Sequence, residues 1–284
     1  MAELSDTFSL RGRTSQKPRL DWSAILEQAA EIVDRYDTGV TLRQLFYRLV
    51  AAEILPNTRV AYCTLSKVTA EARRQDRFPA LVDRTRQIHR YRTFGGPDEA
   101  RSWLSRIYRR DRTEGQEYSI YLGVEKAGIV EQLESWFGDL GISILALGGY
   151  SSQSYVDEIA KDVQEQTRPA VLIYAGDFDP SGEDIQRDFI ERAGCFDEVV
   201  RIALNAEQVD EYDLPEQMGK ATDTRARGFI ERHGKLVQVE LDALPPDVLK
   251  RLYTEAIAKF WSDAAYGKIM KRERREAALL KASS

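Results

Sequence analysis

The sequence predicts a mixed α/β protein in two parts, a helical arginine-rich segment followed by a parallel, doubly wound sheet domain. Three observations predict this. Residues 22–75 carry helical periodicity without a strand pattern. From residue 118 apolar runs of strand length alternate with amphipathic helices, the signature of βαβ units. One of those runs, Ala170–Ala175, ends in Gly-Asp-Phe-Asp-Pro-Ser-Gly, which places Asp177 and Asp179 just past the carboxyl end of a buried strand.

Residues 1–20 are polar and aperiodic and read as an arm. Trp22–Tyr36 reads as a helix with Ile25, Ala29, Ile32 and Val33 on one face. Thr41 caps a second helix from Leu42 to about Glu53, and Pro56-Asn57 makes a turn. A third helix runs from about Arg59 to Gln75 with Val60, Leu65, Val68 and Ala72 inward. Residues 78–96, rich in β-formers and arginine and closed by Gly95-Gly96, read as a β-ribbon. Three helices and a ribbon resemble a winged helix-turn-helix, which sets its third helix in the major groove of DNA. Pro97–Arg112 is a connecting helix, so the first domain spans 21–115.

The second domain, 116–267, reads as strand Tyr118–Val124, helix Ile129–Phe137, strand Ile142–Leu147, helix Tyr155–Glu165, strand Ala170–Ala175, helix Glu183–Ala193 and strand Val199–Ala203. Val237–Leu241 is one further candidate strand, and Pro245–Tyr266 is helical. A basic helix closes the chain within residues 268–284.

Charge divides the same way. Residues 1–115 hold 21 Lys and Arg against 15 Asp and Glu, whereas the remainder holds 20 against 31. A basic half joined to an acidic half is the footprint of polyanion binding beside metal chemistry, although an arginine-rich face is also simply well solvated. Arg73, Arg74 and Arg77 end the third helix and are candidate phosphate contacts, sequence-neutral and salt-dependent. No apolar span of membrane length is present, and the two cysteines, Cys63 and Cys195, lie far apart, which predicts reduced thiols and a cytoplasmic protein. With so few cysteines and histidines, Cys63, Cys195, His89 and His233, a structural zinc site is disfavoured, so a metal would be held by oxygen, favouring Mg²⁺ or Mn²⁺.

Residues i and i+2 of an extended chain point the same way, so Asp177 and Asp179 converge. Two carboxylates aimed at one point repel unless a cation or proton lies between them. Strand Tyr118–Val124 ends in Glu125-Lys126, and parallel strands share one carboxyl edge, so Glu125 can join the pair. Taken alone, Glu125 is explained equally well as a helix N-terminal acid. Lys126 would balance charge or touch a phosphate. Gly148–Ser154 follows the second strand at the same edge and reads as a phosphate-contacting loop or a simple helix cap. Glu240 and Asp242 lie at a strand end, as an outer carboxylate shell or as solvated acids.

Val124-Glu-Lys-Ala-Gly128 together with Gly176-Asp-Phe-Asp-Pro-Ser-Gly182 resembles the Toprim domain of topoisomerases, primases and some nucleases. The form Asp-x-Asp-Pro-x-Gly is most similar to the topoisomerase VI A subunit and its relative, the meiotic double-strand-break protein. Arg43-Gln-Leu-Phe-Tyr47-Arg48 resembles that family's tyrosine motif. The resemblance covers residues 38–260 and implies Mg²⁺ held by Glu125, Asp177 and Asp179 beside a scissile DNA phosphate. It also implies Tyr47 as nucleophile, a homodimer in which each tyrosine serves the partner's metal, and an ATPase partner subunit. In the helix, Leu42, Leu45, Phe46 and Leu49 take the core face, while Tyr47 shares a face with Arg43, with Arg48 next in the motif as a further DNA contact. Tyr47 alternatively packs its ring at the domain edge.

The function these residues predict is Mg²⁺-dependent cleavage of double-stranded DNA, by Tyr47 or by water. Glu125 alternatively serves as general acid or base, and Arg43 steadies the phosphate. A protein of this kind would associate with the nucleoid in a bacterium or phage. The alternative is a non-enzymatic DNA-binding subunit or regulator. A Toprim primase or RNA-processing enzyme is a third reading, which the upstream tyrosine motif disfavours.

Overall fold

The computed structural model describes residues 20–36, 39–83, 91–218 and 223–282. Among them are eleven α-helices and a four-stranded, all-parallel sheet, so the protein is α/β. The strands are β1 (Ser119–Val124), β2 (Ser143–Ala146), β3 (Ala170–Ala175) and β4 (Glu198–Ala203), in the order β2-β1-β3-β4. The two uninterrupted apolar runs, β1 and β3, are the central strands and are buried along their whole length, as strands covered on both faces require.

Alternation assigns their side chains. Ile120, Leu122, Val124, Val171, Ile173 and Ala175 face one layer, which contains α5 (Ala127–Phe137) and α10 (Pro246–Ile257). Tyr121, Ala170, Leu172 and Tyr174 face the other, which contains α6 (Gln153–Glu165) and α7 (Pro180–Ala193). The first layer continues without a break into the helices α1 (Trp22–Asp34), α2 (Leu42–Ala51) and α3 (Arg59–Arg74). The two predicted domains therefore share one core, with Gln44 donating to Gln132 Oε1 at 3.2 Å across the join.

Thr41 caps α2 as expected: its Oγ1 accepts from Gln44 N at 3.2 Å, and Gln44 Oε1 accepts from Thr41 N at 3.0 Å. The inward face of α3 differs from the expected one. Ala61, Leu65, Thr69 and Ala72 are buried, while Val60 is 76% exposed and Val68 half-buried. The buried set keeps strict helical spacing once Thr69 is admitted, and Thr69 satisfies its hydroxyl on Leu65 O at 2.8 Å. The ribbon expected over 78–96 shows no strand in residues 78–83 and 91–96, and 84–90 lie outside the described residues. Phe78 instead joins the helical core, and Val82 N donates to Val40 O at 3.0 Å, anchoring this stretch as coil. Gly96 precedes α4 (Pro97–Ile107). The arm over residues 1–20 lies outside the described residues except for Leu20.

Three later segments also depart from expectation. Short helices α8 (Ala206–Glu211) and α9 (Ala226–His233) were not legible. The expected strand 237–241 shrinks to β6 (Val237–Gln238), which pairs antiparallel with β5 (Gln217–Met218) and not with the main sheet. The expected helix 245–266 is α10, a break, and then α11 (Asp263–Ala282), which contains the predicted basic tail. The break is held by Gln116, whose side chain accepts from Ser262 N at 2.7 Å and donates to Ser262 O at 3.0 Å.

α11 buries Ile269 and, one turn on, the acid Glu273. Glu273 forms a two-pronged pair with Arg112, at 2.7 and 3.0 Å, with both side chains under one-tenth exposed. Arg112 holds the Glu273 carboxyl below its usual range. A depressed carboxylate contributes stability that is present above its unfolded pKa, about 4.3, and is lost as pH falls through the folded value. Glu273→Gln is expected to cost about 3 kcal/mol at pH 7, because it takes the two-pronged carboxylate from a buried guanidinium and leaves it Asp139, whose side chain is largely exposed. It is also expected to flatten the loss of stability that wild type shows below about pH 4. Urea unfolding of both proteins from pH 7 to 3 checks this, and parallel curves would refute it.

Candidate functional site

The order β2-β1-β3-β4 reverses direction between β1 and β3, and open α/β sheets bind ligands beyond the carboxyl ends at such a switch point. Val124 pairs with Ala175 at the last rung, and Glu125 N donates to Ala175 O at 3.0 Å. The next residues outward, Glu125 and Gly176-Asp177, therefore sit side by side by register alone.

Glu125 turns across to β3 instead of capping α5: its Oε2 accepts from Asp177 N at 2.8 Å. The N-cap of α5 is Lys126, and its side chain makes no capping bond. Asp179 is the N-cap of α7, with Oδ1 accepting from Gly182 N at 2.7 Å. A Cβ on Gly182 would lie 3.2 Å from Glu125 Oε2, so the Glu125 and Asp179 carboxylates flank the same helix start. Asp177 Oδ1 accepts from Leu241 N at 2.7 Å and lies 3.2 Å from Lys126 Nζ. Burial, then the charge of Asp177 and further down that of Asp179, push Glu125 up to about 7. Burial raises Asp177 as well, against the pull of Lys126 and the Leu241 N–H.

Among the described residues no group of three or more His, Cys, Asp and Glu side chains is arranged as a ready-made metal cage. Mg²⁺ does not need one, since it is commonly held by one or two carboxylates together with water and substrate phosphate. The donor chemistry fits a hard cation. Glu125 and Asp179 each use only one oxygen in hydrogen bonds among the described residues, and a cation would relieve the part of the Glu125 shift that comes, after burial, from the charge of Asp177. Gly148 lies against the same place, where a Cβ would stand 2.6 Å from Glu125 O. The rest of the 148–154 loop ends in Ser152, which caps α6 by accepting from Tyr155 N.

Glu240 and Asp242 are enclosed and ion-paired, unlike acids at a solvated strand end. Val239 exchanges two backbone hydrogen bonds with Phe178, at 2.9 and 3.0 Å, an antiparallel bridge that lays the following turn over the strand ends. There Lys126 Nζ lies 2.8 Å from Glu240 Oε2 and 3.3 Å from Asp242 Oδ2. Arg43 pairs with Glu240 Oε2 and, through Nε, with Asp242 Oδ2 at 3.3 Å. Burial disfavours charge on Lys126, but Asp177, Asp242 and Glu240 outweigh it and hold the ammonium charged. Glu240 is correspondingly driven down to about 2, its burial overcome by Arg43 and Lys126.

The α2 residues meet this turn. Arg48 Nη1 donates to Ala243 O at 3.1 Å. Tyr47 is buried at 6% exposure, because the turn covers the flank of α2 that periodicity alone leaves open. The Arg43 guanidinium stands 5.9 Å from its ring centroid. Burial and the neighbouring Glu240 carboxylate push the Tyr47 hydroxyl up to about 12. Tyr47, Arg43, Arg59, Asn57 and Glu240 line a cavity of about 360 Å³. Arg43, Arg73, Lys126 and Asp242 line a second, of about 600 Å³. Arg74 and Arg77 line neither, and pair locally with Glu71 and Gln75.

Arg201 was missed in the sequence, because its role depends on a long-range turn. It donates to Asp177 O at 2.8 Å and to Leu204 O at 3.0 Å, fixing the carbonyl behind the acid pair. No helix among the described residues is long and apolar enough to cross a membrane. Comparison of the chain with protein-family models and with curated proteins finds no match.

Proposed function

We propose that this protein cleaves a DNA backbone with Mg²⁺ or Mn²⁺, using a Toprim-like sheet edge next to a helix-turn-helix-type helical part. The observation that carries the reading is the grouping of Glu125, Asp177 and Asp179 around the start of α7, at the β1/β3 switch point, beside a cavity lined by Arg43, Arg73 and Lys126. Acids crowded next to cations suit a metal and a polyanion together, whereas a pure DNA-binding subunit gains nothing from acids facing phosphate.

Glu125, Asp177 and Asp179 would hold the cation. When bound, it would neutralise the scissile phosphate and ease departure of the leaving oxygen. Arg43, Arg73 and Lys126 would hold adjacent phosphate oxygens. Arg201 keeps Asp177 in place through its carbonyl.

Of the two attacking groups, water fits better. Tyr47 is only 6% exposed under the 240–243 turn, so its hydroxyl is poorly presented to a phosphate, whereas a bound cation would activate a water directly. Tyr47 then supports Arg43 and the cavity wall. Hydrolysis of this kind requires neither a partner's tyrosine nor an ATPase subunit. Tyr47→Phe is expected to retain plasmid cleavage within about threefold, since it removes one hydroxyl and leaves the ring packed. Wild type, stopped with detergent during the reaction, is expected to show no protein–DNA adduct. An adduct lost in Tyr47→Phe would establish the tyrosine as nucleophile instead.

A further inference from the structure

The ion pairs at the 240–242 turn have a geometry that simple cross-linking does not require. Two oxygens, Glu240 Oε2 and Asp242 Oδ2, each contact both cations: Lys126 at 2.8 and 3.3 Å, and Arg43 through Nη2 and Nε. Two anionic oxygens bridging the same ammonium and guanidinium is what the two non-bridging oxygens of a phosphodiester would present. We propose that Arg43 and Lys126 form a phosphate subsite whose ligand place is taken here by the carboxylates of Glu240 and Asp242, so that the turn is a built-in competitor a nucleic-acid backbone must displace. This deepens the DNA-cleavage reading and rests on its assignment of nucleic acid as the ligand.

Three further observations support it. The cluster is reachable from two sides, because Arg43 and Glu240 line the 360 Å³ cavity and Arg43, Lys126 and Asp242 line the 600 Å³ one. Displacement needs only side-chain rotation. Leu241, between the two acids, is 1% exposed and tied by its N–H to Asp177, and Ala243 O is held by Arg48, so the backbone of the turn can stay in place. The charges also balance in the required way. Arg43 and Lys126 face Glu240, Asp242 and Asp177, so the set is acidic by one charge as it stands. It becomes basic by one once the turn's acids swing out, which is the state that attracts a phosphate.

The test is duplex binding in EDTA, followed by fluorescence anisotropy of a short labelled DNA across a range of salt. Glu240→Gln/Asp242→Asn is compared with Glu158→Gln/Glu211→Gln, which removes the same charge from exposed positions. The turn variant is expected to bind at least about tenfold tighter than the control at about 0.1 M salt. Its log–log salt slope is expected to steepen by about one, since each engaged phosphate contributes roughly 0.9. The gain is expected to vanish when Arg43→Ala/Lys126→Ala is added. Equal affinity in the turn variant and the control, a gain that survives loss of both cations, or no duplex binding by any of the proteins overturns the proposal. If the double variant does not fold, Glu240→Gln alone must shift affinity in the same direction, and its failure to do so is equally decisive. Plasmid cleavage with Mg²⁺ is scored separately. A binding gain without cleavage refutes only the cleavage reading, and cleavage without a binding gain refutes only the subsite.

Discussion

Asp177→Ala is expected to reduce Mg²⁺-dependent plasmid cleavage by at least about 10²–10³-fold, the scale on which a single charge-stabilising group acts in a transition state. The loss has two parts. The carboxylate disappears from the metal-binding set, and Lys126 loses one of its three acidic partners, so its ammonium swings further toward Glu240 and Asp242. Stability falls too, because Leu241 N–H is left without its acceptor in a buried turn, at about 1–3 kcal/mol. Asp177→Asn separates the two effects. Its amide oxygen can still accept from Leu241, so it should unfold close to wild type in urea while cleaving no better than Asp177→Ala. Nicking of supercoiled plasmid, measured beside urea unfolding for all three proteins, decides the matter. Cleavage that survived in either variant would remove Asp177 from the metal site.

The sheet edge was legible because it depends on local pattern. Two apolar runs, one followed by Glu125 and one by Gly-Asp177-Phe-Asp179, read as parallel strands with a shared carboxyl edge, and the register of β1 on β3 brings Glu125 to Asp177. The Thr41 cap and the core face of α2 were legible for the same reason. What the sequence hid depends on contacts distant along the chain. Tyr47 is covered by a turn two hundred residues later, so helical spacing left it on an open face. Glu240 and Asp242 stay undecided between an outer carboxylate shell and solvated acids in the sequence, because nothing local reveals the Phe178–Val239 bridge that folds them back over Lys126. The break between α10 and α11 combines both kinds of signal: Ser262 caps α11 locally by accepting from Ala265 N, and Gln116, far upstream, holds the Ser262 backbone.

Gly182→Ala is the stability change expected to be largest for its size, and its sign opposes helix propensity. Gly182 lies in the first turn of α7, where alanine is intrinsically better by about 1 kcal/mol. A Cβ there would stand 2.5 Å from Asp177 O and 3.2 Å from its carbonyl carbon. That carbonyl cannot retreat easily, since Arg201 Nη2 donates to it at 2.8 Å and Asp177 N is committed to Glu125. Relief must come from shifting the start of α7, which stretches the Asp179–Gly182 capping bond of 2.7 Å and crowds Glu125 Oε2. Overpacking of this kind costs about 1–3 kcal/mol and outweighs the propensity gain. Gly128 supplies the internal comparison. It occupies the first turn of α5, and a Cβ there meets nothing within 4 Å, so Gly128→Ala should be neutral or stabilising by up to about 1 kcal/mol. Urea unfolding of the two variants should therefore move in opposite directions from wild type, with the cleavage loss confined to Gly182→Ala. If Gly182→Ala unfolded at the same urea concentration as Gly128→Ala, the close packing of α7 against the acid pair would be refuted, and with it the reason a glycine stands at that point of the site.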